Sequence, residues 1–165
     1  MFVVQSPTAI LFPKFTEPIM TVSCGLSHCL AVTTTGKLYS WGNGAYGALG
    51  FNSVQNEPTP RELVIKQNNF ILQIQQVSCG SMHSMAVTTQ NKLFTWGTGT
   101  HGRLGHGNFK NVLEPKELLQ LSNLRVINIS AGESHSAAVT QNLKAYTWGN
   151  GTFGRLGHGQ DFVEN

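Results

Sequence analysis

"WGTGTHGRLGHG", residues 96–107, has the outline of a phosphate-binding loop. Gly97, Gly99 and Gly102 stand at the G-x-G-x-x-G spacing that lets backbone approach a pyrophosphate. The stretch has two copies elsewhere. "WGNGAYGALG" begins at Trp41 and "WGNGTFGRLG" at Trp148, so the loop recurs at steps of 55 and 52 residues. A dinucleotide fingerprint occurs once, after a parallel strand and at the opening of a helix. Here Leu-Gly and then polar residues follow each copy, and Gly105 and Gly107 would destabilise a helix starting there. The glycines are read as repeat turns that need positive φ and close packing, and no cofactor is expected.

Upstream of each loop the similarity continues. "VSCGLSHCLAV", "VSCGSMHSMAV" and "ISAGESHSAAV" place His28, His83 and His135 each 13 residues before its tryptophan. Pro7, Pro60 and Pro115 open three units, 7–59, 60–114 and 115–165, after an N-terminal extension 1–6. The three-residue difference in step falls in the polar "QNN" at residues 67 to 69, which reads as a loop tip.

Within a unit the apolar period is two. "KLFTW" sets Phe94 and Trp96 on one face, and Leu93 and Thr95 on the other. "KLYSW" and "KAYTW" repeat this with Tyr39/Trp41 and Tyr146/Trp148. "HSMAVTT" is the preceding strand, with a short connection in which Asn91, or Gly36 in the first unit, takes the left-handed region. "RELVIK" and "ILQIQQVSC" supply two more strands. About four short antiparallel strands in ~50 residues is the size of a propeller blade. Two helical segments per unit, as a helical solenoid needs, are missing, and "PKELLQL" is the one short helix-like piece. The aromatic pairs are expected between stacked blades, where large rings bury most area.

The three histidines invite a metal reading. Equivalent positions on neighbouring blades stand roughly 10 Å apart, whereas ligands of one zinc ion each lie about 2 Å from it. Each histidine is instead expected at the start of a strand, hydrogen-bonding the backbone of its own blade. No nucleophile–base–acid set appears: Ser27 and Ser134 precede histidines, but Met82 holds that place in the second unit.

Composition bounds the rest. The chain has 165 residues, 40% hydrophobic and 12% charged, with net charge +3 and no adjacent basic residues. The absence of a basic stripe argues against nucleic acid or chromatin as the partner. Cys24, Cys29 and Cys79 have no metal-ligand spacing and make no even disulfide set, which points to reduced thiols in a cytoplasmic or nuclear protein. The N-terminus has no charged n-region, and no stretch reaches the ~18 apolar residues of a membrane span, so an intracellular, non-membrane protein is expected.

The pattern G-x-x-H-S-x-A-V followed by W-G-x-G-x-x-G-x-L-G-H-G resembles the repeats of the regulator of chromosome condensation family. The resemblance covers about residues 19–50, 74–107 and 126–159. It implies an all-β fold, a β-propeller of four-stranded antiparallel blades. The family's ring has seven blades and needs about 370 residues at this period. Three units imply an open arc or part of such a ring, with self-association or further blades expected because stacked repeats need neighbours. The family's founding activity, nucleotide exchange on the small GTPase Ran with docking on nucleosomes, depends on a wedge and a basic tail that no residues here match. The expectation is a non-enzymatic scaffold that binds a protein through rim loops, with guanine nucleotide exchange on a Ran-like GTPase as the alternative. Binding to chromatin or ciliary assemblies is a remoter option. The units differ from one another at Tyr46/His101/Phe153, at Ala48/Arg103/Arg155 and at Phe51/His106/His158. His101, Arg103, Phe153 and Arg155 are the candidate partner-binding residues, since arginine and aromatic side chains dominate interface hot spots.

Overall fold

The computed structural model describes residues 4–10 and 17–159. The final six residues of the third unit and the first three of the extension therefore lie outside it. Thirteen strands are described. The first sheet holds β1 (Ile19–Cys24), β2 (His28–Thr33), β3 (Leu38–Gly42) and β4 (Glu57–Leu63), in sequence order and antiparallel. A small hairpin follows, β5 (Lys66–Gln67) and β6 (Phe70–Ile71). The second sheet repeats the first with β7 (Ile74–Cys79), β8 (His83–Thr88), β9 (Leu93–Gly97) and β10 (Val112–Glu117). The third holds β11 (Val126–Ala131), β12 (His135–Thr140) and β13 (Ala145–Gly149). These are three consecutive blades, two with four strands and the last with three among the described residues.

The local chemistry follows the residues. Gly36 at φ 83° and Asn91 at φ 64° turn the second strand of their blades into the third. In the third blade Leu143 takes the same conformation at φ 63° without a glycine's freedom. The "QNN" insert is the tip of the β5–β6 hairpin, with Asn68 and Asn69 both left-handed as a two-residue hairpin turn requires. Gln67 anchors this hairpin to the second blade, donating to Glu117 Oε2 at 2.7 Å and accepting from Lys92 Nζ at 2.8 Å. "RELVIK" is divided: its first half ends β4, and Lys66 starts the hairpin. "ILQIQQVSC" is divided likewise, with Ile71 in β6 and Ile74 opening β7. "PKELLQL" finishes β10 and then makes one short 3-10 turn, Leu119–Leu121. Pro60 and Pro115, which open the sequence units, lie inside the outermost strands β4 and β10, where a missing N–H is tolerated at a sheet edge. The sheets are thus cut at a different phase from the proline-to-proline units.

Period-two alternation sorts each strand between two junctions. Ala86, Phe94 and Trp96 of the second blade pack with Leu30, Val32, Leu38, Leu63 and Ile74. Their neighbours Met85, Val87 and Leu93 pack the other way, with Val126, Ile129 and Ala138 and against Tyr146 and Trp148. Every residue of β8 and β9 is consequently buried.

A hydrogen-bonded relay crosses each junction. Ala48 O accepts Trp96 Nε1–H at 2.9 Å and Ser84 Oγ–H at 2.8 Å, both from the next blade. Arg103 O accepts Trp148 Nε1–H and Ser136 Oγ–H, each at 2.8 Å. Ser84 has spent its one hydrogen, so its oxygen accepts from His28 Nε2–H at 2.9 Å, and Ser136 accepts from His83 in the same way at 2.9 Å. The histidines do open β2, β8 and β12, but the rings of His28 and His83 bond the serine of the following blade rather than their own backbone. The reason is reach: the ring lies over the glycine three residues upstream. A Cβ on Gly80 would run into the His83 ring and the Gly132 carbonyl oxygen.

Burial keeps these rings neutral. It pushes His28 down to about 4 and His83 down to about 3, from an ordinary value of 6.5. A proton on His83 Nδ1, which is buried with no partner among the described residues, would add a stranded N–H. As pH falls below 6.5 the unfolded chain takes up protons that the folded chain refuses. Stability is therefore full above pH 6.5 and declines toward pH 4 for His28 and pH 3 for His83. At pH 5 the expected loss is about 2 kcal/mol for each of the two. Urea midpoints compared at pH 7.5 and pH 5 measure this, and an unchanged midpoint refutes the neutral-histidine assignment.

Candidate functional site

The recurring loop is a pair of linked turns. Gly47 N donates to Gly44 O at 3.0 Å and Gly50 N to Gly47 O at 2.9 Å. In the second blade Gly102 N donates to Gly99 O and Gly105 N to Gly102 O, each at 2.9 Å, and in the third Gly154 N to Gly151 O and Gly157 N to Gly154 O. Gly99 N is taken by Asn111 Oδ1 at 3.0 Å. The amides that a phosphate would need are thus engaged inside the turns. The loop's function is to present the carbonyl of residue 48 or 103 to the next blade. Gly50 and Gly105 sit directly under that blade's tryptophan, where an added Cβ would approach Trp96 Nε1 to 3.0 Å and Trp148 Nε1 to 2.9 Å.

The turn's outer corner is a non-glycine residue in the left-handed region in all three blades. Tyr46 lies at φ 58°, ψ 13°, His101 at φ 59°, ψ 13°, and Phe153 at φ 62°, ψ 23°. All three project into solvent, and Phe153 is 86% exposed. Of the candidate residues, His101, Phe153 and Arg155 share this rim. The Arg155 guanidinium lies over the Phe153 ring, 5.7 Å from its centroid, while its Nε donates to Thr152 O at 2.8 Å.

Arg103 does not join them. It is 7% exposed, clamped between blades. Its Nε donates to Thr100 O at 2.9 Å, and one terminal nitrogen donates to Glu133 O at 3.0 Å and Ser81 Oγ at 3.2 Å. The other terminal nitrogen meets His101 Nδ1 at 3.3 Å, which steers the exposed ring. Burial lowers the Arg103 pKa and the Glu133 charge opposes that. Tyr46, at the position equivalent to His101, belongs to the rim on equal terms. The signal was the shared position; its exposure was not visible in the sequence.

At the third variable position the histidine turns back onto its own blade. His106 Nε2 meets Thr95 Oγ1 at 3.0 Å and His158 Nε2 meets Thr147 Oγ1 at 2.9 Å. In the first blade Phe51 replaces the histidine, Arg61 lies 4.2 Å over its ring, and the buried Ser40 Oγ has no partner among the described residues. No group of three or more His, Cys, Asp or Glu side chains among the described residues is arranged to hold a metal ion.

Three blades joined by a G…H-S…W-G relay define a repeat propeller, and comparison with known proteins agrees. The pattern described as "Regulator of chromosome condensation (RCC1) repeat" matches residues 35–87 and 90–139, and a second form of it matches 21–48, 74–103 and 126–155. The chain belongs to this family. E3 ubiquitin-protein ligase HERC2 of Homo sapiens is 39% identical over 142 residues, which is 85% of this chain and 3% of that protein. Ultraviolet-B receptor UVR8 of Arabidopsis thaliana is 37% identical over 149 residues, 90% of this chain and 33% of that one. Among solved structures, Prp20p from Saccharomyces cerevisiae superposes with a TM-score of 0.74 at 26% identity, covering 86% of this chain and 35% of Prp20p. Human WBSCR16 gives 0.68 at 29% identity, covering 81% and 34%. The chain thus spans about a third or less of each of these relatives.

The two arginines predict opposite outcomes. Arg103→Ala removes the clamp, with its bonds to Thr100 O, Glu133 O and Ser81 Oγ and the buried packing of the side chain, and is expected to lower stability by about 1–3 kcal/mol. Arg155→Ala should stay within about 0.5 kcal/mol. Chemical denaturation of the two variants reads the difference, and equal losses would contradict the assignment of Arg103 to the blade junction.

Proposed function

We propose that this chain is a protein-interaction module with no covalent chemistry of its own, which offers a partner protein the rim side chains Tyr46, His101, Phe153 and Arg155. One observation carries this: an exposed non-glycine side chain in the left-handed region at the same corner of every blade. That conformation costs roughly 1–2 kcal/mol per residue, and glycine at the corner would avoid most of it. Aromatic and arginine side chains at these corners suit an interface centre. The relatives support a protein as the partner: Prp20p has binding properties to Gsp1p and histones. The free cysteines support a partner met inside the cell, in cytoplasm or nucleus.

The second reading is guanine nucleotide exchange on a Ran-like small GTPase, favoured by the likeness to Prp20p. Partners captured by proximity labelling with the intact chain are compared with those of a Tyr46→Ala, His101→Ala, Phe153→Ala variant. The interaction reading expects about a tenfold or greater loss of the main partner, with no acceleration of nucleotide release across a GTPase panel. Retained capture overturns the rim assignment, and accelerated release replaces the scaffold with the exchange factor.

The same reading includes a further blade, or a second copy, against the third blade. A Cβ on Gly157, whose φ of 72° resembles that of Gly50 and Gly105, would meet no described atom within 4 Å. The isolated chain is expected to self-associate, with a melting temperature that rises with protein concentration. A monomer by sedimentation, melting sharply at one temperature at all concentrations, contradicts it.

A further inference from the structure

Cys24 ends β1, and Cys29 is the second residue of β2, directly opposite it in the ladder. Gly25 N donates to His28 O at 2.8 Å, so the adjacent Cys24–Cys29 pair falls at a position without ladder hydrogen bonds between its own amides, the closer kind of cross-strand pair. Their sulfurs are 3.5 Å apart, Cys29 donating its S–H to Cys24. Cα atoms about 4.5 Å apart, as such pairs have, lie within the span of a disulfide. Cys24 is exposed to solvent and Cys29 is half-buried beside it.

The equivalent pairs in the other blades are Cys79 with Ser84 and Ala131 with Ser136, so two thiols face each other only in the first blade. Cys79 is withdrawn from this chemistry. It is buried, with its S–H on Ser23 O at 3.3 Å and its amide on Ser23 Oγ at 2.9 Å.

We propose that Cys24 and Cys29 form a redox-modifiable pair, closed to a cross-strand disulfide by a low-molecular-weight disulfide such as oxidised glutathione. Cys24, as thiolate, attacks one glutathione sulfur. A Cys24–glutathione bond forms, the glutathione S–S bond breaks, and one glutathione leaves with the electron pair. Cys29, on losing its proton, attacks Cys24 Sγ and expels the second glutathione. Two protein thiols are oxidised, one glutathione disulfide is reduced, and both protons end on the released glutathione thiols. Burial pushes the Cys29 thiol up to about 12, so exposed Cys24 is the sulfur that reacts first, and Cys29 enters only in the intramolecular step, where its place 3.5 Å from Cys24 Sγ offsets its small thiolate fraction. The modification also has a structural consequence. Cys29 occupies the register position at which Ser84 and Ser136 donate to the preceding blade, opposite Trp41 as they stand opposite Trp96 and Trp148. Oxidation removes the donor hydrogen from that position.

The test equilibrates the folded chain, diluted until it is monomeric because a copy docked on the outer face of the first blade would cover Cys24, in glutathione redox buffers, traps free thiols by alkylation and digests with trypsin. Cys24 and Cys29 fall on one tryptic peptide, 15–37, and Cys79 on another. The expected result is a fall from three free thiols to one, with peptide 15–37 lighter by two hydrogens and Cys79 fully alkylated. Cys24→Ser and Cys29→Ser each abolish the change, and Cys79→Ser leaves it intact. The folded chain should oxidise at a glutathione ratio about tenfold more reducing than the same chain in urea. Equal ratios, a persistent glutathione adduct on Cys24, or a cross-link to Cys79 each overturn the proposal.

Discussion

One backbone oxygen per blade holds the arc together. The carbonyl of residue 48, and of residue 103 in the next blade, accepts an indole N–H and a serine hydroxyl from its neighbour, so both of its lone pairs are used across a junction. The oxygen can face that way only if the chain leaves the third strand and doubles back in two tight turns. The G-x-x-G-x-x-G spacing supplies those turns. The tryptophan fits only if the last glycine of the loop lacks a side chain, and the histidine reaches the serine only if the upstream glycine lets its ring lie flat. Most of the recurring letters of the motif thus answer to a single acceptor and the groups converging on it.

This arrangement divides the loop between two tasks. Its inward carbonyl gives cohesion, and its outward corner, at Tyr46, His101 and Phe153, gives a surface. Because the cohesive group is main chain, the side chain attached to it is free to change, and alanine stands at 48 where arginine stands at 103 and 155. Variation there marks a backbone role as much as it marks a surface. Arg103 uses the freedom to strap the neighbouring turn at Ser81 and Glu133. The outward corner carries a conformational cost in every blade, which sets it apart from ordinary loop variability.

Much of this was legible in the residues. The strand period, the turns at Gly36 and Asn91 and the two-faced sorting of Phe94/Trp96 against Leu93/Thr95 appear in local patterns, because they arise from residues two to six apart, and the repeat and blade count appear because the same local pattern returns at steps of 55 and 52 residues. The rest depends on partners far away in sequence. The His28–Ser84 bond spans 56 residues and the His83–Ser136 bond 53, and no local pattern names the acceptor. The H-S pair is visible as part of the motif in the second and third units, but nothing near Ser84 or Ser136 in the sequence shows that these hydroxyls dock one blade on the next. Arg103 looked like a rim residue for the same reason. Its loop is exposed in outline, and the groups that enclose it come from residues 81 and 133.

Uniformity of the junctions makes the blades exchangeable modules. Each blade carries a socket on one side and the matching plug on the other, and the middle blade connects like to like. Deleting it whole would bring the hydroxyl of Ser136 and the indole of Trp148 to the oxygen of Ala48 and the ring of His28, restoring the contact just lost. Duplication and loss of entire repeats are therefore mild changes for such a chain, whereas removing half of one would strand an unmatched edge. Length in this architecture is adjustable in whole steps, and an ancestral gene could grow or shrink by recombination without inventing a new interface.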